Sequence, residues 1–365
     1  MSREILSQPL MDAQSLPPRT EVFSPGRRPA ATSASPRTVR SNESMNTLAL
    51  QISVVLNIVI SIVKLFATIV SGSLAVTATL VDSLLDVLSQ FILFYTDSAS
   101  RKHDAARFPA GRTRLAPLGV FICAVIMGMA SIEVVRESLV KLRDMWCGAI
   151  ASGEGLTMDS VIVIGGMGFS FFAKAGLYWY CTSVHKVTGN DTVKAVALDH
   201  LNDVLSIFSA TLAAVTSYCS ASLLWVDPVS AILISVYIMR EWWETAEDQA
   251  NMLVGKVASS SFLDEVRKLA DAHHLEMKVD VIRAYHFGPK YLVEIEVVLP
   301  PTMRLKKTHD IGMELQHKVE AFEEVERAFV HIDYVERDYD EHNENSWPEH
   351  YAERVKASLS KSLDV

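Results

Sequence analysis

Two pairs of aspartates stand inside apolar stretches of the sequence, and the two pairs have the same spacing. The stretch LVDSLLDVL contains Asp82 and Asp86, and the stretch ALDHLNDVL contains Asp199 and Asp203. Side chains four residues apart lie on one face of a helix, about one turn from each other. Each pair therefore presents two carboxylates to the same neighbour.

Carboxylates in hydrocarbon are costly unless a cation balances them. Each costs roughly 2.5 to 3.5 kcal/mol at the centre of a membrane helix, so four unpaired ones would cost on the order of 10 kcal/mol. No lysine or arginine lies deep in either stretch. Two helices with two carboxylates each can instead bind a divalent cation. One pair alone could be a helix-end or protonated acid satisfied by hydrogen bonds, but the repetition favours a metal site.

The residues between the second pair of aspartates leave more than one interpretation open. Because a helix turns by about 100° per residue, His200 points away from the face that Asp199 and Asp203 share. We expect His200 to pack beside the site rather than to bind metal. For Asn202, the sequence leaves both packing and metal binding open. Lys64 and Lys174 lie in other apolar stretches, where snorkelling or pairing between helices is expected rather than ligand binding.

The elements that position these residues are long apolar segments. Hydrophobic residues form 49% of the 365 residues, and the mean hydropathy is +0.20, which is typical of a membrane protein. Within residues 46–245, six segments approach the ~20 residues that cross ~30 Å of hydrocarbon. They are predicted at about 47–70, 73–96, 115–137, 160–183, 193–218 and 224–240. The fold class expected for this region is an all-α, six-helix transporter domain.

Basic residues predict the orientation of the six segments. The first 45 residues contain six arginines and the joint between the second and third segments contains five basic residues, whereas the joints at 71–72 and 219–223 contain none. Positively charged loops stay in the cytosol, so the N terminus and the second joint are expected there. An even number of spans returns the C terminus to the same side.

The two ends of the chain differ in composition from this region. Residues 1–45 hold six of the thirteen prolines and show no apolar period, which predicts a disordered cytosolic tail. Residues 256–336 alternate between polar and apolar side chains and predict a cytosolic α+β domain of ferredoxin-like, αββαβ type. Its elements are expected at about 262–273, 278–285, 291–299, 307–322 and 328–335, and an acidic tail follows over 337–365.

Other functional classes fit the sequence less well. The net charge of −9 offers no basic excess for nucleic acid, which is not an expected partner. An intramembrane aspartyl protease also needs aspartates in two spans, but the GxGD element expected of such enzymes is missing. A metal sensor that does not transport remains an alternative. The lipid bilayer is the first partner, and the absence of a signal peptide fits an intracellular vacuolar, Golgi or endosomal membrane.

The stretches LVDSLLDVLSQ and ALDHLNDVLS resemble the paired metal-binding motifs of the cation diffusion facilitator family. Further matches lie at 70–76, 108–115 and 225–228, and the resemblance covers about residues 46–336. Members of this family are divalent-metal/proton antiporters with six spans and a cytosolic C-terminal domain that dimerises. The resemblance therefore implies a homodimer that moves metal out of the cytosol by alternating access and is not an enzyme.

The spacing pattern also bears on the metal. An Asp-x-x-x-Asp pair in both spans resembles the manganese branch, whereas zinc-transporting members typically have a histidine in at least one pair. A site made of carboxylates alone is hard and suits Mn²⁺, whereas imidazole favours Zn²⁺. Mn²⁺ is the expected cargo, Fe²⁺ and Zn²⁺ remain alternatives, and no fixed cofactor is expected. The carboxylates must be deprotonated to bind metal, so protons and metal compete for them.

The resemblance further implies a regulatory metal site in the C-terminal domain. His331 and Asp333 are two residues apart on a predicted strand and so face the same side. His286 lies at the end of the first strand and His309 at the start of the second helix. These four residues are the candidate ligands, and a solvated strand face with surface histidines is the alternative.

Overall fold

The computed structural model describes residues 36–71, 74–102, 104, 106–147, 158–219, 225–337, 348–349 and 351–354. Within these ranges a set of long helices precedes a small domain with a sheet. The long helices are α1 (Pro36–Ser71), α2 (Leu74–Ser100), α3 (Leu115–Trp146), α4 (Met158–Thr188), α5 (Asp191–Cys219) and α6 (Val226–Val254). The small domain consists of α7 (Ser260–Asp271), β1 (Lys278–Phe287), β2 (Lys290–Val298), α8 (Leu305–Val319) and β3 (Val325–Asp333).

The long helices have an apolar exterior and a polar interior. Large apolar side chains such as Phe66, Phe172 and Trp179 are 69%, 76% and 73% exposed. Polar and ionisable side chains, including Gln90 and Asp199, are buried between the helices. Soluble proteins rarely expose extensive apolar patches, whereas ionisable residues of membrane proteins face the bundle interior. The distribution of side chains is therefore that of a membrane-spanning bundle.

Length and composition single out two candidate membrane spans among the described residues. These are Ser41–Phe66 in α1 and Leu115–Trp146, which is α3. The aspartate pairs lie on other helices of the bundle, α2 and α5.

Several helices extend beyond the predicted segments. The prediction of a disordered tail is wrong for residues 36–45, because α1 begins at Pro36; proline is favoured in the first turn of a helix, where its missing N–H costs nothing. The remainder of that predicted tail, residues 1–35, lies outside the described residues, as does most of the predicted acidic tail over 337–365.

The sixth helix also crosses the predicted domain boundary at residue 245. The chain remains helical past 240, where Trp242 packs in the core of the bundle and Arg240 pairs with Glu244 at 2.8 Å on its surface. α6 ends only at Gly255, whose φ of 81° lies in the left-handed region that glycine adopts readily. The left-handed backbone of Gly255 therefore determines where α6 ends, and the change from apolar to charged residues earlier in the chain does not.

The C-terminal domain is a small mixed sheet packed against two helices. β1 and β2 are antiparallel and joined at Gly288, and β2 pairs in parallel with β3 after the α8 crossover. The order helix, strand, strand, helix, strand is confirmed. The fully buried side chains come from both layers and include Val266, Val293, Ile295 and Leu315.

Contacts join the C-terminal domain to the cytosolic ends expected for α3 and α6. The guanidinium of Arg114 lies 3.7 Å from the centre of the Phe287 ring. Arg327 donates from Nη2 to the carbonyl oxygen of Pro109 at 3.2 Å, and the N–H of Gly288 donates to the carbonyl oxygen of Met252 at 3.2 Å. The domain is thus attached to both the loop before α3 and the last turn of α6.

A glycine allows α3 to approach α2 closely. A Cβ atom at Gly119 would lie 2.0 Å from Oγ1 of Thr96, whereas one at Gly128 on the same helix would meet nothing within 4 Å. We expect Gly119→Ala to lower the unfolding temperature in detergent, because overpacking typically costs about 1–3 kcal/mol. Gly128→Ala should leave it unchanged or raise it, since alanine is favoured over glycine in helices by about 1 kcal/mol. Scanning fluorimetry compares the two variants, and equal effects would contradict this close contact.

Candidate metal site

The two aspartate pairs lie on neighbouring helices at different depths in the protein. Asp86 on α2 is buried, and Asp199 on α5 is completely so, at 0% exposure. Asp203 is half-buried and Asp82 is exposed. The carboxylates therefore extend from the interior of the bundle to its surface.

The second pair forms the centre of a cluster with donor atoms for a metal. Asp199, His200 and Asp203 each offer one ligand atom, and these atoms lie within 4.8 Å of one another. No other group of three or more histidine, cysteine, aspartate or glutamate side chains meets this criterion in the part of the chain that the structure describes. Asp82 and Asp86 are not members of the group.

A lysine from α4 lies between the two pairs. Lys174 is 4% exposed, and its Nζ atom lies 3.1 Å from Oδ2 of Asp86 and donates a second, short hydrogen bond to Oδ2 of Asp203. Pairing between helices, one interpretation of Lys174, is thereby confirmed. The aspartates that pair with this lysine lie on other helices than its own. The signal in the sequence that could identify it is that Lys174 is the sole charged residue of the stretch 160–183.

Sequence reasoning also missed an amide that contacts the site. Gln90 is one turn beyond Asp86 on α2, is 1% exposed, and donates from Nε2 to Oδ2 of Asp199 at 2.9 Å. The other oxygens of the two groups, Oε1 of Gln90 and Oδ1 of Asp199, have no hydrogen-bond partner among the described residues. Buried oxygens of this kind are suitable donors to a hard cation. Gln90 lies four residues after Asp86 and therefore on the same helix face. This spacing identifies Gln90 as a candidate ligand if amide side chains are counted together with carboxylates.

His200 and Asn202 connect α5 to other helices. Nε2 of His200 lies 3.1 Å from Oγ of Ser53 on α1, so one ring nitrogen already has a partner outside the cluster. With its amide oriented by its neighbours, Asn202 accepts a hydrogen bond from Nε1 of Trp242 on α6 at 2.7 Å. Both side chains thus help to orient α5, and the expectation that His200 packs beside the site rather than binding metal stays a prediction.

A second lysine lies beside the exposed end of the first pair. Lys64 on α1 donates from Nζ to Oγ of Ser83 at 2.6 Å, and Ser83 is the chain neighbour of Asp82. The hydroxyl of Ser61 on α1 also donates to the carbonyl oxygen of Ser83 at 3.1 Å. These contacts fix α1 against the segment of α2 that carries Asp82.

The structure does not assemble the four predicted regulatory ligands of the C-terminal domain into one site. His286 belongs to β1 and pairs with Tyr291, whereas His331 on β3 pairs with Glu296, five residues further along β2. His309 is exposed on α8, beside Asp310. The four residues form no group of donors within the described part of the chain, because the sheet separates them along and across its strands.

One of these four residues has a structural role. Oδ1 of Asp333 accepts the backbone N–H of Tyr334 at 2.6 Å, and Oδ2 pairs with Arg337. The carboxylate therefore stabilises the chain where it leaves β3, which accounts for its place at the end of the strand.

Comparison with known proteins gives matches along most of the chain. The family profile described as the cation efflux transmembrane domain matches residues 50–254, and that of the cation efflux protein cytoplasmic domain matches residues 258–335. The two matches meet just after α6 ends. Metal tolerance protein 11 of Arabidopsis thaliana is 38% identical over 293 residues, which cover 79% of this chain and 71% of that protein. Metal tolerance protein 7 of Oryza sativa subsp. japonica is 37% identical over 295 residues, with coverages of 79% and 71%.

The hydrogen bond between Gln90 and Asp199 has a testable contribution to stability. Gln90→Met keeps the length of the side chain but leaves Oδ2 of Asp199 buried without this donor, and hydrogen bonds to charged groups contribute about 1.5–3 kcal/mol. We expect a lower unfolding temperature in detergent for Gln90→Met. Gln51→Met, at an exposed position of α1, is the matched control. If both variants unfold at the wild-type temperature, the contact does not stabilise the bundle.

Proposed function

The chain belongs to the cation efflux family of divalent-metal transporters, and we propose that it exports Mn²⁺ from the cytosol in exchange for protons. It is a membrane transporter and not an enzyme. The transport site in this proposal consists of Asp82, Asp86, Asp199 and Asp203. The observation that carries it is the complete burial of Asp199 beside Asp203, with Asp86 bridged to Asp203 by Lys174.

The donor atoms favour a hard divalent ion. The four carboxylates supply oxygen, and Oε1 of Gln90 is a further buried oxygen close to Asp199. Carboxylate and amide oxygens suit Mn²⁺, and Fe²⁺ is the alternative closest in chemistry. Zn²⁺ is the second candidate because the imidazole of His200 lies within reach of the carboxylates of Asp199 and Asp203.

The gradient of exposure along the carboxylates supports a route for the ion. Asp82 is exposed, Asp86 lies one turn further along α2, and Asp199 is completely buried. An ion that first contacts Asp82 can therefore pass to carboxylates of increasing burial. Metal binding requires deprotonated carboxylates, so metal displaces protons and protons displace metal at the same oxygens. A site with these properties couples the two fluxes when it opens to each side of the membrane in turn.

The remaining parts of the proposal concern the arrangement of the chain in the cell. We propose that α1 to α6 all span the membrane, with both termini in the cytosol, and that the membrane is intracellular. The C-terminal domain is proposed to have a ferredoxin-like fold and to form a homodimer. The match of residues 258–335 to a cytoplasmic domain of cation efflux proteins supports the side on which this domain lies.

The proposed site is tested by transport into proteoliposomes with an acidic lumen. Asp199→Asn removes a charge from the most buried carboxylate, and we expect Mn²⁺ uptake to fall by about tenfold or more, equivalent to about 1.4 kcal/mol in the barrier. Asp191→Asn makes the same chemical change in the first turn of α5 and should retain uptake. Wild-type uptake by Asp199→Asn would exclude this residue from the transport site.

The choice of metal is tested at the exposed aspartate. Asp82→His introduces an imidazole, which favours Zn²⁺ over Mn²⁺. The concentration of Zn²⁺ that halves Mn²⁺ uptake should therefore fall, by about tenfold if the added ligand contributes about 1.4 kcal/mol of selectivity. Asp82→Glu keeps an oxygen ligand and should leave this concentration nearly unchanged. An identical competition curve for Asp82→His and wild type would show that Asp82 does not bind the cargo.

A further inference from the structure

Lys174 places its ammonium group among the proposed transport carboxylates. The ammonium contacts one carboxylate from α2 and one from α5. The lysine thus offsets part of the negative charge that these carboxylates carry when they are ionised.

The ammonium contacts carboxylates that the proposed cargo would also use. Lys174 contacts Oδ2 of Asp86 and Oδ2 of Asp203, so a metal ion bound through these oxygens would meet the ammonium there. Oxygen ligands lie about 2.0–2.2 Å from a transition-metal ion, closer than any hydrogen-bond donor, and two cations at one oxygen repel each other. Metal binding by these oxygens therefore displaces the ammonium from at least one of them.

We propose that Lys174 is a tethered counter-ion that competes with the transported metal for Asp86 and Asp203. The proposal rests on the proposed function, in that these two aspartates are taken as ligands of the cargo. The covalent tether keeps the displaced ammonium within reach of the carboxylates, and an unpaired charge in the interior of a bundle is costly. The lysine therefore returns when the metal leaves, which weakens metal binding and assists release.

The position of the lysine also links metal binding to the packing of helices. Lys174 belongs to α4, so its two ion pairs hold α4 to both α2 and α5. Displacement of the ammonium by metal breaks one or both of those attachments. The metal would then join α2 to α5 directly, without α4, so the loaded and unloaded bundles have different interhelical contacts.

Metal affinity in detergent tests the competition. We expect Lys174→Met to bind Mn²⁺ about tenfold more tightly than wild type, measured by competition with a fluorescent chelator, because close charge pairs typically contribute at least this much. Its maximal rate of Mn²⁺ transport in proteoliposomes should fall, since release is slower. Lys141→Met removes a different interhelical pair, between α3 and Asp227 on α6 at 2.5 Å, and should leave the affinity unchanged.

A second variant decides the question if Lys174→Met does not fold. The guanidinium of Lys174→Arg can donate several hydrogen bonds to the two carboxylates, and Arg–carboxylate pairs are stronger than those of lysine. We therefore expect Lys174→Arg to bind Mn²⁺ more weakly than wild type. Unchanged affinity in Lys174→Arg, or unchanged or weaker affinity in a folded Lys174→Met, would overturn the competition.

Asp199→Asn in the same binding assay separates this proposal from the proposed function. If Asp199→Asn loses affinity while both lysine variants bind as the wild type does, only the role of Lys174 is refuted. If Asp199→Asn binds Mn²⁺ with wild-type affinity, the site assignment fails and the competition fails with it.

Discussion

Buried charges in a bundle with an apolar surface must be balanced by other charges, and this requirement determines how α2, α4 and α5 are arranged. Removing one partner of a buried ion pair typically costs about 3–5 kcal/mol, because the other charge is left without compensation. Lys174 meets the requirement for Asp86 and Asp203 together. The three helices are therefore joined at the proposed metal site, and in that proposal the same carboxylates serve both the packing of the bundle and the binding of the ion.

The hydrogen bonds around this centre restrict the positions of the ligands. Gln90 on α2 orients Asp199, while Ser53 on α1 contacts His200 and Trp242 on α6 contacts Asn202. Outside the bundle, the contacts of Arg114 with Phe287 and of Gly288 with Met252 attach the C-terminal domain to the start of α3 and the end of α6. These contacts attach the domain to α3 and α6 rather than to α2 and α5, which carry the aspartates.

Local patterns in the sequence predicted the elements, and tertiary contacts account for most of what was missed. The alternation of side chains over 278–285 and 291–299 predicted β1 and β2, because a strand with one buried face has a period of two. Helical spacing alone predicted that Asp199 and Asp203 share a helix face, and the structure places their carboxylates in one cluster. The contacts of Lys174 with Asp86 and Asp203 could not be predicted, because these aspartates lie on other helices and no local pattern in the sequence indicates which helices pack together. The four predicted C-terminal ligands are not brought together among the described residues of one chain for the same reason, since strand order and register separate His286 from His331.

The central claim is that the aspartates of α2 and α5 bind the transported Mn²⁺. Anomalous X-ray diffraction at the manganese absorption edge, from crystals of the full chain grown with Mn²⁺, tests it most directly because the signal locates the metal without assumptions about transport. The account predicts a peak within bonding distance of the carboxylates of Asp199 and Asp203, with Asp86 contributing from α2. A strong peak confined to the C-terminal domain, with none between α2 and α5, would contradict it.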